Sequence, residues 1–194
     1  MIYDKFAGFY DRAFAPMEKR FLARWRAEAL AELPSDADLL EIGAGTGANF
    51  AYYPPHKLAV ASEISLQMLF AAKSRTGRQQ LVQADAQDLP FGDNAFDAAF
   101  GTLVFCSIPR PETAFRELRR VVRPSGRIVL LEHVRPAGPL GRVFDLVSIA
   151  TVALIEDHFN RRTAELASAA GLDVTEVRRK AGGVVNLIIC ENQK

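Results

Sequence analysis

The sequence predicts a three-layer α/β fold built on an open sheet of seven mostly parallel strands that ends in an antiparallel hairpin. Three observations carry this expectation. Short apolar runs rich in Val, Ile, Leu and Phe alternate with longer stretches of helical period, the pattern of repeated β-α units. The last two apolar runs are separated only by Ala181, Gly182 and Gly183, whereas a parallel crossover needs about a dozen residues. A chain of 194 residues, 49% hydrophobic and 24% charged, is also long and apolar enough to fold throughout around one sizeable core.

The apolar runs place strands near 38–43, 57–62, 79–83, 96–101, 126–133, 172–178 and 184–191, with helices near 47–53, 65–74, 111–122, 139–157 and 160–170. Residues 1–33 form an N-terminal helical arm, and 34–194 complete a single domain. In the arm, Met17, Phe21, Trp25, Ala29 and Leu33 recur at four-residue spacing beside Leu22 and Leu30, which predicts an amphipathic helix. The first strand runs into a glycine-rich turn, and Pro111 opens its helix at the first turn. RPSG at 123–126 closes that helix, Asn160 is placed to cap the last one, and Gly171 lies just past its end.

Two segments carry double readings. Residues 12–26 hold Arg12, Lys19, Arg20, Arg24 and Arg26 against Glu18, so the arm is either a helix covering the sheet with a solvated basic face or a peripheral contact to anionic lipid. The segment 139–157 is apolar on most of its surface through Leu140, Val143, Phe144, Leu146, Val147, Ile149, Val152, Leu154 and Ile155. It reads either as a buried crossover helix or as the wall of a hydrophobic acceptor pocket or a membrane-facing patch.

Charge and cysteine content narrow the function classes. With 24 Lys and Arg against 23 Asp and Glu, the net charge of +1 offers no general attraction for nucleic acid, and small-molecule ligands are favoured. Cys106 and Cys190 have no CxxC or Cys/His spacing, so neither a disulfide framework nor a metal site is expected, and Cys106 reads as a small buried hydrophobe. The N-terminus lacks a signal-peptide pattern, and the run 146–155 is half of the roughly 20 residues that span a bilayer. A cytoplasmic location follows, with peripheral contact at the inner membrane face as the second reading.

DLLEIGAGTGANF, residues 38–50, is the segment that carries chemistry. Glycines at 43, 45 and 47 let backbone approach a ligand closely at a strand-to-helix turn. Alone this is a weak signal, because Gly43, Gly45 and Ala48 also read as a dinucleotide motif, and Glu63 follows where an acid takes ribose hydroxyls in either class. A nicotinamide-dependent oxidoreductase is therefore the competing enzyme reading. Two acids favour another ligand. Glu41 would be poor company for a pyrophosphate but good company for a sulfonium or an ammonium group, and Asp85 in LVQADAQDLPF can accept from an adenine amino group, with the Ala86 N–H reaching the ring.

With these residues in register, the chain resembles a class I S-adenosylmethionine-dependent methyltransferase. EIGAGTG, the acid in VASEIS, ADAQDLPF and the stretch 96–133 match that family's successive motifs over roughly residues 38–134, with Glu63 for the more usual Asp and RPSG for the usual KPGG. The resemblance implies a Rossmann-like fold and S-adenosyl-L-methionine as the methyl donor, leaving as S-adenosyl-L-homocysteine. It implies a cofactor site made of Glu41, Gly43, Ala44, Gly45, Thr46, Gly47, Asn49, Glu63, Ile64, Asp85, Ala86, Gly101 and Thr102. In it Glu63 chelates the ribose diol, Asp85 and Ala86 read adenine, and Gly101 and Thr102 border the methionine end.

Within the family the LPF loop, the LLEHV strand end and the Phe6, Tyr10, Asp11 feature resemble type 11 methyltransferases such as quinone C-methylases, and phospholipid N-methyltransferases; TLVFCSI and HFNRRT resemble membrane-associated thiol methyltransferases. The expected acceptor is small or lipid-like: a phospholipid amine first, with a quinol or a thiol as alternatives. A cofactor-binding regulatory or partner-binding module is the reading from another class. An acceptor that must lose a proton would use a base near the strand ends, for which Tyr10, His133 and His158 are candidates, the two histidines also reading as structural ones. Arg161 and Arg162 read either as a phosphate clamp or as exposed helix-start arginines.

Overall fold

A computed structural model of the chain describes residues 15, 16, 18–155, 158 and 160–194. Tyr10, with Phe6, Asp11, Arg12 and Met17, lies outside the described residues. A π-type turn at Glu18–Leu22 leads into helix α1 (Ala23–Leu30), followed by β1 (Ala37–Ile42), β2 (His56–Glu63), α2 (Leu66–Lys73) and β3 (Gln80–Gln83). Then come β4 (Phe96–Thr102), α3 (Pro111–Val121), β5 (Val122–His133), α4 (Pro139–Ile155), α5 (Thr163–Ala169), β6 (Asp173–Lys180) and β7 (Val185–Glu191).

The seven strands form one sheet in the order β3-β2-β1-β4-β5-β7-β6. The first five strands in that order pair in parallel, while β7 runs antiparallel to both β5 and β6 across the turn at Ala181–Gly183. The order reverses between β1 and β4, so the crevice in which such sheets bind ligands opens beyond the carboxyl ends of these two strands.

Both faces of the sheet are covered, which is why its strands read as nearly continuous apolar runs. On one face Leu40, Ile42, Ile128, Leu130 and Ile188 pack with Phe115 and Leu118 of α3 and Ala167 of α5. On the other, Leu39, Phe100, Val129, Leu131 and Leu187 pack with Ala29, Leu30 and Leu33 at the end of the arm. Ion pairs fasten α1 to the hairpin, Lys180 to Glu28 at 2.6 Å and Arg178 to Glu32 at 2.6 Å. Residues Ala23–Leu30 thus cover the sheet, the first of the arm's two readings.

Four expectations are corrected. The helix expected over 47–53 is reduced to turns and one 3₁₀ turn at Phe50–Tyr52, because Pro54 holds Tyr53 extended at φ −59°, ψ 133°. Asn160 does not cap a helix: its side chain bonds Ser148 at 2.9 Å and Asp145 at 3.3 Å, and α5 starts at Thr163. β5 begins at Val122 rather than 126, because RPSG is taken into the strand as a bulge, the pairing with β4 jumping from Val122 to Arg127. The buried stripe of the arm is Leu22, Arg26, Ala29, Leu30 and Leu33, one residue round from the expected one, which leaves Phe21 44% exposed.

The glycines of the turn after β1 differ in what they require. All three have positive φ, which favours glycine. A Cβ on Gly43 would also lie 2.1 Å from Val104 Cγ2, and one on Gly47 would meet the Phe50 ring at 2.6 Å. A Cβ on Gly45 would meet nothing within 4 Å, so open space lies above that peptide. Gly43→Ala should therefore cost ~2–4 kcal/mol, combining backbone strain with overpacking. Gly45→Ala should cost only ~1–2 kcal/mol, from strain alone. Urea unfolding of the two variants checks the difference, and equal losses would contradict it.

Candidate active site

The carboxyl ends of β1, β2, β3 and β4 bring the sequence-predicted residues together, each strand delivering its acid or turn to the same edge of the sheet. At the end of β1, Glu41 is fully buried, and its two oxygens accept from Asn49 Nδ2 and Tyr53 OH, each at 2.5 Å. Burial pushes the Glu41 carboxyl up to about 7, against the hydrogen bonds from Tyr53 and Asn49 and the nearby Arg26 charge, which favour its ionised form. Burial, together with the Glu41 charge, raises the Tyr53 hydroxyl well above its ordinary value. Glu41 therefore lies behind the turn rather than at its surface.

The turn itself is pinned from both sides. Ala44 N–H donates to the Ser62 carbonyl at 3.0 Å, tying the turn to β2. Arg75, from beyond the end of α2, donates to the carbonyl and hydroxyl of buried Thr46 at 3.2 and 3.1 Å. At the end of β2 the Glu63 carboxylate accepts from the backbone N–H of Gly45 and of Ser65, both at 2.9 Å. A carboxylate offers about four acceptor positions, more than these two bonds use. Ile64 beside it is 38% exposed, an apolar surface at the rim.

After β3, Asp85 and Ala86 are half-buried, and Asp85 accepts from the backbone N–H and side-chain amide of Gln87 at 2.8 and 3.0 Å. At the end of β4, Gly101 and Thr102 are buried. A Cβ on Gly101 would lie 2.9 Å from Val104, so this glycine serves close packing. Leu103 then turns the chain at φ +58°, a conformation rare for leucine. Its N–H donates to Leu131 O at 2.7 Å, and Glu132 Oε1 accepts from the N–H groups of Val104 and Phe105 at 3.0 and 3.1 Å.

The two candidate histidines flank this turn. His133 ends β5, opposite Val185 of β7. The N–H of His158 donates to Cys106 O at 2.9 Å, and Arg161 donates to Phe105 O, so these two residues lie against the turn after β4. Arg162 pairs with Glu165 on an exposed surface. Cys106 is buried. In α4, Val143 and Leu146 are 52% and 70% exposed, which removes the fully buried reading of that helix.

Sequence reasoning assigned Arg26 to the basic face of the arm, and this is overturned. Arg26 is 7% exposed; its NH1 donates to Asn49 Oδ1 at 2.9 Å and to Thr102 Oγ1, while its Nε donates to Glu18 at 3.1 Å. The signal was available, for Arg26 stands four residues from both Leu22 and Leu30, on the apolar stripe. Tyr53 and Glu132 carried no such signal, because their partners are on other elements.

The arrangement fits a neutral nucleoside bearing a positive charge. Three acids lie at this edge of the sheet, Glu63 and Asp85 around the turn and Glu41 buried behind it, open space lies above Gly45, and glycine removes steric hindrance to a ligand approaching that peptide. The comparisons with known proteins agree. The Methyltransferase domain family matches residues 40–130. A demethylmenaquinone methyltransferase of Paenarthrobacter aurescens is 32% identical over 145 residues, 73% of this chain and 57% of that protein. The human thiol S-methyltransferase TMT1B is 37% identical over 110 residues, 53% of this chain and 44% of that protein. The chain thus spans somewhat over half the length of the first of these relatives and less of the second. Among solved structures, a SAM-dependent methyltransferase of Thermotoga maritima superposes with a TM-score of 0.77 at 21% identity, covering 99% of this chain and 98% of its own. On fold, motif order and these likenesses, the chain belongs to the class I S-adenosylmethionine-dependent methyltransferases, whose methyl donor is S-adenosylmethionine.

Proposed function

We propose that the chain transfers a methyl group from S-adenosylmethionine to an apolar acceptor with an ionisable O–H or S–H, a quinol first and a thiol second. The observation that carries the reading is the convergence of the three acids and the open Gly45 peptide at the β1/β4 crevice, with two histidine-bearing segments flanking the turn after β4. The demethylmenaquinone relative supports a quinol carbon, and the thiol S-methyltransferase relative supports sulfur. The phospholipid amine expected from the sequence has no such support and ranks below both.

The bound cofactor supplies an electrophilic methyl group on a sulfonium. Glu63, which accepts from Gly45 and Ser65, would hold the ribose diol, and Asp85 with the Ala86 N–H would read adenine, with Ile64 as an apolar neighbour. Glu41 acts at a distance, because its carboxylate is fully buried and engaged by Asn49 and Tyr53. Gly43 and Gly101 keep the β1 and β4 turns close around Val104. Either His133 or His158 would take the acceptor's proton, leaving a thiolate, or a phenolate whose ring carbon is the nucleophile; for the quinol, the proton on the methylated ring carbon would then leave to solvent or to the same base.

The membrane reading also narrows. Among the described residues no helix is long and apolar enough to cross a membrane. With Arg26 turned inward, the described basic groups facing outward on the arm are Arg20 and Arg24, Arg20 lying 5.3 Å over the ring of half-exposed Phe21. These, with exposed Val143 and Leu146, are the groups that would meet an anionic lipid surface.

Three outcomes test the proposal. With methyl-labelled S-adenosylmethionine, label should enter demethylmenaquinol at carbon, and His133→Ala or His158→Ala should lower kcat ~10²-fold. Transfer to alkyl thiols alone would select the second acceptor, and transfer to phosphatidylethanolamine alone would refute both. S-adenosylhomocysteine keeps an ammonium cation that favours ionised Glu41, so its binding should weaken as pH falls below about 7, by up to ~10-fold per unit, and calorimetry should find this slope lost in Glu41→Gln. Anionic liposomes should co-sediment the wild-type chain and release Arg20→Gln/Arg24→Gln, and unchanged sedimentation would discard the arm as a lipid contact.

A further inference from the structure

Arg26 occupies a position that its chemistry does not make easy. A guanidinium at 7% exposure has lost most of its hydration, and burying an unpaired cation is costly, so its partners must satisfy it. They do so across three parts of the chain. Glu18 precedes α1, Asn49 belongs to the segment after the glycine-rich turn, and Thr102 ends β4. Asn49 is fully committed: its Oδ1 accepts from Arg26, while its Nδ2 donates to Glu41 at 2.5 Å and to Thr102 Oγ1 at 2.9 Å. The Thr102 oxygen accepts from both Arg26 and Asn49, which keeps the hydroxyl's one hydrogen available to donate.

The consequence is that one side chain of the arm sets the conformation of both walls of the crevice. We propose that Arg26 is a positioning residue for the cofactor site: by bonding both Asn49 and Thr102 it holds the segment after the glycine-rich turn against the end of β4 and makes docking of the arm a condition for tight cofactor binding. This rests on the site assigned above. Arg26 acts through Asn49, Thr102 and Glu41 rather than by contact with cofactor or acceptor.

The electrostatics give the proposal a signature that packing alone would not produce. The charged and titratable groups facing Glu41 are Arg26 from α1, Glu63 from the end of β2 and Tyr53 from the segment before β2, with Glu18 one step behind Arg26. Arg26 favours the ionised carboxylate and Glu63 opposes it. Removing the Arg26 cation therefore moves the pH at which cofactor affinity begins to fall upward, whereas loosening the arm without touching that charge leaves it in place. The chain also carries its own reporter, since its one tryptophan, Trp25, is the neighbour of Arg26 and stacks on Phe21 at 5.6 Å.

The test compares wild type, Arg26→Gln, Arg26→Lys and the exposed control Arg24→Gln. Calorimetric S-adenosylhomocysteine affinity is measured across the neutral range, together with Trp25 fluorescence and urea unfolding. Arg26→Gln should bind at least ~10-fold more weakly at neutral pH, with the pH midpoint moved upward and Trp25 emission shifted to the red. Arg26→Lys should recover the midpoint, because the charge returns, but not the affinity, because one ammonium cannot reproduce the fork that spans Glu18, Asn49 and Thr102. Arg24→Gln should match wild type. A folded Arg26→Gln with affinity within about twofold of wild type and an unmoved midpoint would overturn the inference. If Arg26→Gln does not fold, Arg26→Lys decides, and wild-type affinity in that variant would overturn it. Wild-type protein that fails to bind S-adenosylhomocysteine would instead remove the site reading and this inference with it.

Discussion

A carboxylate with no solvent exposure sits at the end of the central β1 strand, and much of the site's geometry follows from the need to satisfy it. Glu41 is held by the side chains of Asn49 and Tyr53, which are drawn inward from the segment that follows the glycine-rich turn. That demand competes with helix formation. With Asn49 and Tyr53 engaged and Pro54 next in line, only one 3₁₀ turn forms where a longer helix was expected. The polar cluster recruits Thr102 from β4 and Arg26 from the arm, so a single buried charge ties together elements far apart in sequence. Such networks are high-stakes in a low-dielectric interior, because each member left unpaired would cost far more than it contributes when paired.

The turn after β4 is organised on the same principle by a second buried acid. Glu132, fully buried at the end of β5, accepts from two consecutive N–H groups of the neighbouring turn, where Leu103 adopts a left-handed conformation. Strain at such a residue persists only where surrounding bonds over-determine it. His158 and Arg161 then bond to this turn at Cys106 and Phe105. Two strand-end acids turned inward thus shape the walls, while Asp85 stays half-buried and Glu63, itself buried, holds the N–H groups of Gly45 and Ser65. The division explains how one edge of the sheet can be rich in acids without all of them serving as ligand contacts.

The arm shows how the same composition can support different conclusions. As a sum of charges it reads as a basic face suited to lipid. In the fold, one of those charges is buried against Glu18 and the crevice residues, and acidic residues on the arm, Glu28 and Glu32, pair with Lys180 and Arg178 of the terminal hairpin. The arm is fastened from both ends, and its outward basicity is reduced to fewer groups. Charge counted along a segment does not distinguish outward from inward, because a helix turns about 100° per residue and a register error of one residue exchanges the two.

The α/β class, the seven strands, the terminal hairpin and the methyltransferase family were all legible in the amino-acid order. Strand periodicity, a three-residue connection and the spacing of glycines and acids are local properties that survive without coordinates. That order also placed Glu63, Asp85 and Gly45 at one edge, since each follows directly from its position at a strand end. Which polar groups line the open edge and which turn into the core follows instead from contacts made only in the folded chain. Gly43 and Gly47 are required by packing against Val104 and Phe50, Thr46 is bound to Arg75, and Asn49 and Glu41 are turned away into a buried network around Arg26. The reason is physical: hydrogen-bond satisfaction of a buried group is settled by whatever neighbours the fold supplies, and those neighbours, Arg26 to Thr102 above all, are separated in sequence by distances over which no local pattern carries information.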